Sequence, residues 1–209
     1  MQNYTDKIRE IAGRLLTDCT VEMVIGFRNG TVPMMSEPHF SKSAEEVGKL
    51  VWNSNCGINL ANYLTNRKEK IGIIAKGCDS RNIVTHIIEN KIKRDQLYII
   101  GVPCNGMIDK HKIKEMVAGE ILLVDEDQNN IIVKGADFEE VLNKRDVLQK
   151  NCQVCIHRNP VVYDELVADL VEEQSDVDRY ADVDKIEALS ADERWQYFED
   201  LLSECMRCY

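Results

Sequence analysis

The chain has 209 residues, 44% hydrophobic, 30% charged and 6% aromatic, enough to bury a core of one or two domains without disulfides or metals. Its net charge of −10 is uneven: from Pro160 onward there are 4 basic and 15 acidic residues, whereas residues 66–114 hold 11 basic and 5 acidic. This balance argues against general nucleic-acid binding, whose affinity rests on phosphate neutralisation. No apolar run reaches the ~18 residues of a membrane span. The N-terminal stretch MQNYTDKIREIAGRLL is polar and amphipathic, not a cleavable signal. A cytoplasmic location is expected. A basic centre with an acidic tail suits an anionic small ligand and a protein partner, although solvated helix faces explain the tail as well.

In chain order, residues 4–17 place Ile8, Ile11, Leu15 and Leu16 near helical spacing. Residues 21–28 read as a strand ended by the Asn29-Gly30 turn signal. A loop with Pro33 and Pro38 follows, then a helix from Ser41 or Ser43 to about Val51, and a second over 59–64. IGIIAKG (71–77) reads as a buried strand and RNIVTHIIENK as a helix capped by Asp79 or Ser80; LYIIGVPC (97–104) is the next strand. This strand–helix–strand unit has the length of a parallel crossover. Residues 106–117 predict a helix, 121–135 a hairpin around Asp-Gln-Asn-Asn, and 137–150 a helix capped by Asp137. Beyond Pro160 the pattern is helical and acidic, ending in a helix over roughly 190–204 with Trp195, Phe198, Leu201 and Leu202. The expected class is α/β, a mostly parallel sheet flanked by helices with an acidic helical C-terminal extension. The expected division is an α/β domain over 1–150 and a Cys-containing helical region over 151–209.

Eight cysteines are the strongest chemical signal: Cys19, Cys56, Cys78, Cys104, Cys152, Cys155, Cys205 and Cys208. The two C-x-x-C pairs, Cys152/Cys155 and Cys205/Cys208, have the spacing that turns two thiolates toward zinc or an iron–sulfur cluster. Cys104 and the 152/155 pair supply three thiolates of a cubane, with Cys78 or Cys56 as the fourth; a structural zinc site on the same residues is the alternative. Cys19 reads as a small buried hydrophobe. In KGCDSR (76–81), Gly77 lets the backbone approach a ligand, Asp79 and Ser80 sit at the helix start, and Lys76 and Arg81 add positive charge for an anion. An ordinary capped turn explains the same residues. In GVPCNG (101–106), Asn105 and Gly106 flank Cys104 as candidate cofactor contacts. The C-terminal CMRCY is half of a C-x₂-C-x₂-C-x₃-C-P run and suggests truncation within a ferredoxin-type motif. No hydrolase triad or nucleophile elbow is present.

Four segments, WNSNCGINLANYL (52–64), AKGCDSRNIVTHIIENKIKRDQLYIIGVPCNG (75–106), KNCQVCIHRNP (150–160) and WQYFEDLLSECMRCY (195–209), resemble the coenzyme F-420-reducing hydrogenase and dehydrogenase beta subunits. Similar proteins include formate dehydrogenase beta-like and heterodisulfide-reductase-associated iron–sulfur proteins. The resemblance runs from Val24 onward and is most specific in the KGCD-x-R…IIG-x-x-C-x-G combination. It implies an electron-transfer subunit of a soluble anaerobic oxidoreductase complex that passes electrons between a redox partner subunit, a [4Fe–4S] cluster and FAD, with deazaflavin as hydride partner in some methanogens and hydrogenase, dehydrogenase or ferredoxin-like subunits as partners. It places Cys104, Cys152 and Cys155 at ligand positions, Cys78 with Gly77, Asp79 and Arg81 at the turn beside them, and Cys205 and Cys208 in the first half of the ferredoxin motif. No local FAD fingerprint is present. A zinc-stabilised interaction or assembly module without redox activity is the alternative function. A thiol–disulfide enzyme on Cys152/Cys155 is disfavoured, because the pair does not follow a strand at a helix start.

Overall fold

A computed structural model describes residues 2–203, 205 and 206. Helix α1 (Gln2–Thr17) buries Ile8, Ile11, Ala12 and Leu15, one stripe at three- and four-residue spacing that lies against the sheet. Strand β1 (Met23–Asn29) turns at Gly30 into β2 (Ser36–Ser41), antiparallel to it, where the sequence predicts a loop. Pro38 does not prevent this strand because β2 is the sheet edge, where one N–H is dispensable.

Helix α2 (Ala44–Val47) is capped as expected, with Ser43 Oγ accepting the Glu46 N–H at 3.4 Å, but it ends at Val47 and continues only as turns through Leu50. Residues 60–63 form a 3-10 turn capped by Asn59 rather than an α-helix. Strand β3 (Ile71–Ala75), helix α3 (Gly77–Ile88) and strand β4 (Leu97–Gly101) make the expected parallel crossover. All five β3 residues are buried, as in a strand covered on both faces.

The hairpin expected over 121–135 is present as β5 (Leu123–Glu126) and β6 (Asn130–Lys134), after helix α4 (Lys110–Met116). At its tip the Asp127 carboxylate accepts the N–H groups of Asn129 and Asn130, each at 2.7 Å. The helix expected over 137–150 is not formed. Residues Glu139–Asn143 are instead strand β7, which pairs along the free edge of β6 and makes a three-stranded antiparallel sheet. This sheet has its own core with Ile113, Ile131, Val133 and Val147. A helix begins only at its last residue: α5 spans Lys150–Gln153.

Beyond Pro160 the chain is not helical at first. It runs extended and contributes β8 (Glu165–Leu166), parallel to β4, which completes the order β2-β1-β3-β4-β8. The first compact unit extends to Ser175; the second begins at Asp176 and contains α6 (Ala181–Glu187) and α7 (Ala191–Ser203). The expected α/β class, a mostly parallel sheet with flanking helices and a helical C-terminal region, is the observed one. No described helix is long and apolar enough to cross a membrane.

Strand β7 gives a direct test of its assignment, because Leu142 is 9% exposed and its neighbour Val141 is 61% exposed. Leu142→Ala should cost about 2–5 kcal/mol. Val141→Ala should stay within about 0.5 kcal/mol. Urea midpoints of the two variants measure the difference.

Candidate functional site

The turn from β3 into α3 is built around an internal ion pair. Lys76 is 1% exposed, and its Nζ lies 2.9 Å from Asp79 Oδ2, while it donates to the Cys56 and Ile58 carbonyls at 3.0 Å each. Its ammonium also stands 5.2 Å from the Phe27 ring centroid and 5.9 Å from that of Trp52. Burial alone would depress the Lys76 pKa; Asp79 and the neighbouring thiols reverse that and hold it above the ordinary lysine value. The Lys76 N–H closes the turn onto Asp79 Oδ2 at 3.1 Å, so α3 starts at Gly77, earlier than an Asp79 or Ser80 cap would place it.

Over the first turn of α3 runs the segment that follows Cys155. A Cβ at Gly77 would overlap the His157 carbonyl and come within 3.0 Å of that of Asn159, so this position accepts no side chain. Arg81 Nη1 donates to the Gly77 carbonyl at 2.9 Å and the Asn159 carbonyl at 3.1 Å. Ser80 Oγ donates to the Gly77 carbonyl at 2.9 Å and accepts the Val161 N–H at 3.0 Å. The segment is braced from behind. Glu173 accepts the Arg158 and Asn159 N–H groups at 2.6 and 3.2 Å, and Gln174 donates to the Cys155 carbonyl at 2.8 Å. Of the turn residues singled out from sequence, Lys76, Asp79, Ser80 and Arg81 thus have partners within the chain, and Gly77 provides the close approach.

This docking brings cysteines from three places together. Cys104 follows β4 and donates its backbone N–H to the Arg158 carbonyl at 3.0 Å. Gly106, at φ +101°, turns the chain so that its N–H reaches Cys104 Sγ at 3.4 Å; a Cβ there would stand 3.4 Å from the Cys152 Cβ. Cys155 Sγ accepts the His157 N–H at 3.4 Å, and Cys78 Sγ lies 3.9 Å from Asp79 Oδ1. The thiols sense one another: Cys78 and Cys152 both act on Cys104, and Cys155 acts on Cys152. Desolvation pushes Cys78 and Cys152 up and Cys104 to about 12.

Cys56 stands apart. It is fully buried, its thiol is pushed up to about 11 by desolvation, and its Sγ contacts are Asn53, Ser36 and the Val51 carbonyl. Cys19, expected to be buried, is exposed just after α1 at φ +53°. Cys205 is an exposed residue of the second unit, and Cys208 lies outside the described residues. Among the described residues, no three His, Cys, Asp or Glu side chains converge closely enough to hold a single metal ion.

Beside Cys104 opens a cleft of about 620 Å³, which Asn105 and Gly106 line as well. Its other walls include Tyr4, Trp52 and Ser54 from the large sheet's surroundings and Lys144, Arg145 and Arg158 as cations. Glu126 ties the two sheets together at this wall, accepting the Ser54 N–H at 3.0 Å and pairing with Lys144 at 3.1 Å. The buried Ser54 Oγ has no hydrogen-bond partner among the described residues. The sequence carries no local signal for this wall, because its residues come from segments about a hundred positions apart.

Two outcomes follow from this geometry. Gly77→Ala should destabilise the protein by about 1–3 kcal/mol, as forced overpacking does, and chemical denaturation measures it. In metal-free protein at about pH 8, Cys104, with its pKa raised to about 12, should carry roughly a thousandfold less thiolate than an ordinary cysteine. Iodoacetamide mapped by mass spectrometry should therefore label exposed Cys19 well before Cys104, with Cys104 labelling rising as the pH is increased.

No protein-family profile matches the chain. It is 26% identical over 168 residues to the F420-dependent formate dehydrogenase 1 subunit beta of Methanococcus maripaludis, an alignment covering 70% of this chain and 42% of that protein. It is likewise 26% identical over 160 residues to the F420-dependent formate dehydrogenase subunit beta of Methanocaldococcus jannaschii, covering 68% of this chain and 42% of that protein. The chain thus spans about two-fifths of the length of these relatives. Its fold matches a chain in the F420-reducing [NiFe] hydrogenase complex of Methanosarcina barkeri with a TM-score of 0.58 at 11% identity, covering 75% of this chain and 63% of that one. The chain is therefore related in sequence to the beta subunits of F420-dependent formate dehydrogenases and shares its fold with part of an F420-reducing hydrogenase complex, the kinship its motifs led us to expect.

Proposed function

We propose that this chain is an electron-transfer subunit of an oxidoreductase complex, holding a [4Fe–4S] cluster on Cys78, Cys104, Cys152 and Cys155 next to a flavin in the adjoining cleft. The observation that carries this reading is the gathering of four thiols from three segments: the Gly106 and His157 N–H groups are directed at Cys104 and Cys155, the Gly106 turn lies against Cys152, and Cys78 and Cys152 both act on Cys104. Hydrogen bonds to sulfur and burial are the means by which a protein sets a cluster's potential. Grouping with Cys104 and Cys152 favours Cys78 over Cys56 as the fourth ligand.

When bound, the cluster supplies one-electron transfer and a flavin couples it to two-electron chemistry. The chain's own residues do the rest. Gly77, Ser80 and Arg81 clamp the segment after Cys155 onto α3 and so fix Cys78 beside the other thiols. Desolvation favours neutral thiols, and a cationic metal centre is the partner that holds them as thiolates in such a place. Trp52 and Tyr4 offer aromatic surface in the cleft, Asn105 and Gly106 bring it against Cys104, and Arg145 and Arg158 supply charge for a phosphate-bearing cofactor. The partners would be hydrogenase- or dehydrogenase-type redox subunits, in keeping with the names of the relatives, and the setting cytoplasmic.

A zinc-stabilised module is the second reading. One zinc ion draws four ligands to about 2.0–2.3 Å from a single point, whereas a cubane spreads its thiolates over four irons and asks for less convergence. Metal analysis of protein purified and reconstituted without oxygen decides between them. We expect about four irons with matching sulfide, lost in Cys78→Ser, Cys104→Ser and Cys155→Ser and kept in Cys56→Ser. Zinc in place of iron, or iron retained in Cys155→Ser, would overturn the assignment.

A further inference from the structure

Lys76 is a buried cation shared by the thiols of the site. Three acceptors hold its ammonium: Asp79 Oδ2 at 2.9 Å and the Cys56 and Ile58 carbonyls at 3.0 Å each. With 1% exposure and two aromatic rings beside it, it is shielded from solvent and cannot swing away. Stability gives little reason for such an arrangement, since well-packed apolar groups commonly replace buried ion pairs without loss. Asp79 is the member of the pair that meets a thiol: its Oδ1 lies 3.9 Å from Cys78 Sγ, while its Oδ2 holds the Lys76 ammonium at 2.9 Å. The two charges oppose each other at Cys78, and that of Lys76 also favours the thiolate at Cys104 and Cys152.

We propose that Lys76 is a positioning residue for redox chemistry: a fixed buried charge that raises the reduction potential of a cluster on these thiols, with Asp79 acting in the opposite sense. The inference rests on the cluster reading above. Its physical basis is that reduction adds one electron's charge to the cluster, and a nearby cation in a poorly screened interior stabilises the reduced form. Trp52 lines the cleft and has the ammonium over its ring, so the same charge stands close behind the wall of the flavin site.

The test is a reductive titration of the reconstituted full chain, monitored by visible absorption and electron paramagnetic resonance. Lys76→Met should lower the potential by at least a tenfold change in the reduction equilibrium, ~59 mV for a one-electron couple. Lys76→Arg, which keeps the charge, should stay inside that margin. Asp79→Asn should shift the potential upward, because the anionic thiolates and the two carbonyls still hold the ammonium. A role in folding alone would not move the two neutralising variants in opposite directions. If Lys76→Met does not fold, Lys76→Arg and Asp79→Asn still decide the matter. Loaded neutralising variants with unmoved potentials, or both shifted the same way, overturn this inference alone. Wild-type protein that takes up neither iron nor sulfide overturns the cluster reading and this inference with it.

Discussion

The contact on which the site depends is the passage of the 157–159 backbone across Gly77. Cys78 belongs to a helix start, Cys104 to a strand end and Cys152 and Cys155 to a short helix after the small sheet, and nothing in their local structures makes them neighbours. The crossing does so by close approach at a residue without a side chain, sealed by Arg81 and Ser80 from α3 and by Arg158 on the Cys104 side. Glu173 and Gln174 extend the clamp by taking up the N–H groups and the carbonyl of the segment that would otherwise be free. A backbone that crosses a helix N-terminus must find donors for its carbonyls. Here Arg81 meets the need for Asn159.

Periodicity made the parallel sheet legible. The all-apolar β3 and β4, the helix between them and the stripe of α1 are signals that tertiary context only reinforces. The misread elements are those where context overrides local preference. Pro38 lies in a strand because that strand is an edge, and Glu139–Asn143 forms a strand because β6 offers an open side and the small core a place for Leu142. Neither condition is visible within a ten-residue window. The same holds for the site: its cysteines were legible by spacing, but the choice between Cys56 and Cys78, and the cleft made by Tyr4, Ser54, Arg145 and Arg158, depend on which loops fold over which.

Charge in the KGCDSR turn illustrates how a motif can keep its residues and change its physical reading. A glycine turn opening a helix, with a lysine and an arginine, has the makings of an anion site at free N–H groups. In the folded chain the space over those groups is filled by the protein's own carbonyls, and both cations point to internal acceptors. The positive charge therefore serves the interior.

The two cation sites of the first unit differ in how far solvent screens them. Arg145 and Arg158 line an open cleft, where water screens their charge. Lys76 is sealed behind Trp52 and Phe27, where screening is weak and a fixed charge acts on whatever the thiols hold. Trp52 belongs to both: it lines the cleft, and the Lys76 ammonium lies 5.9 Å from its ring centroid.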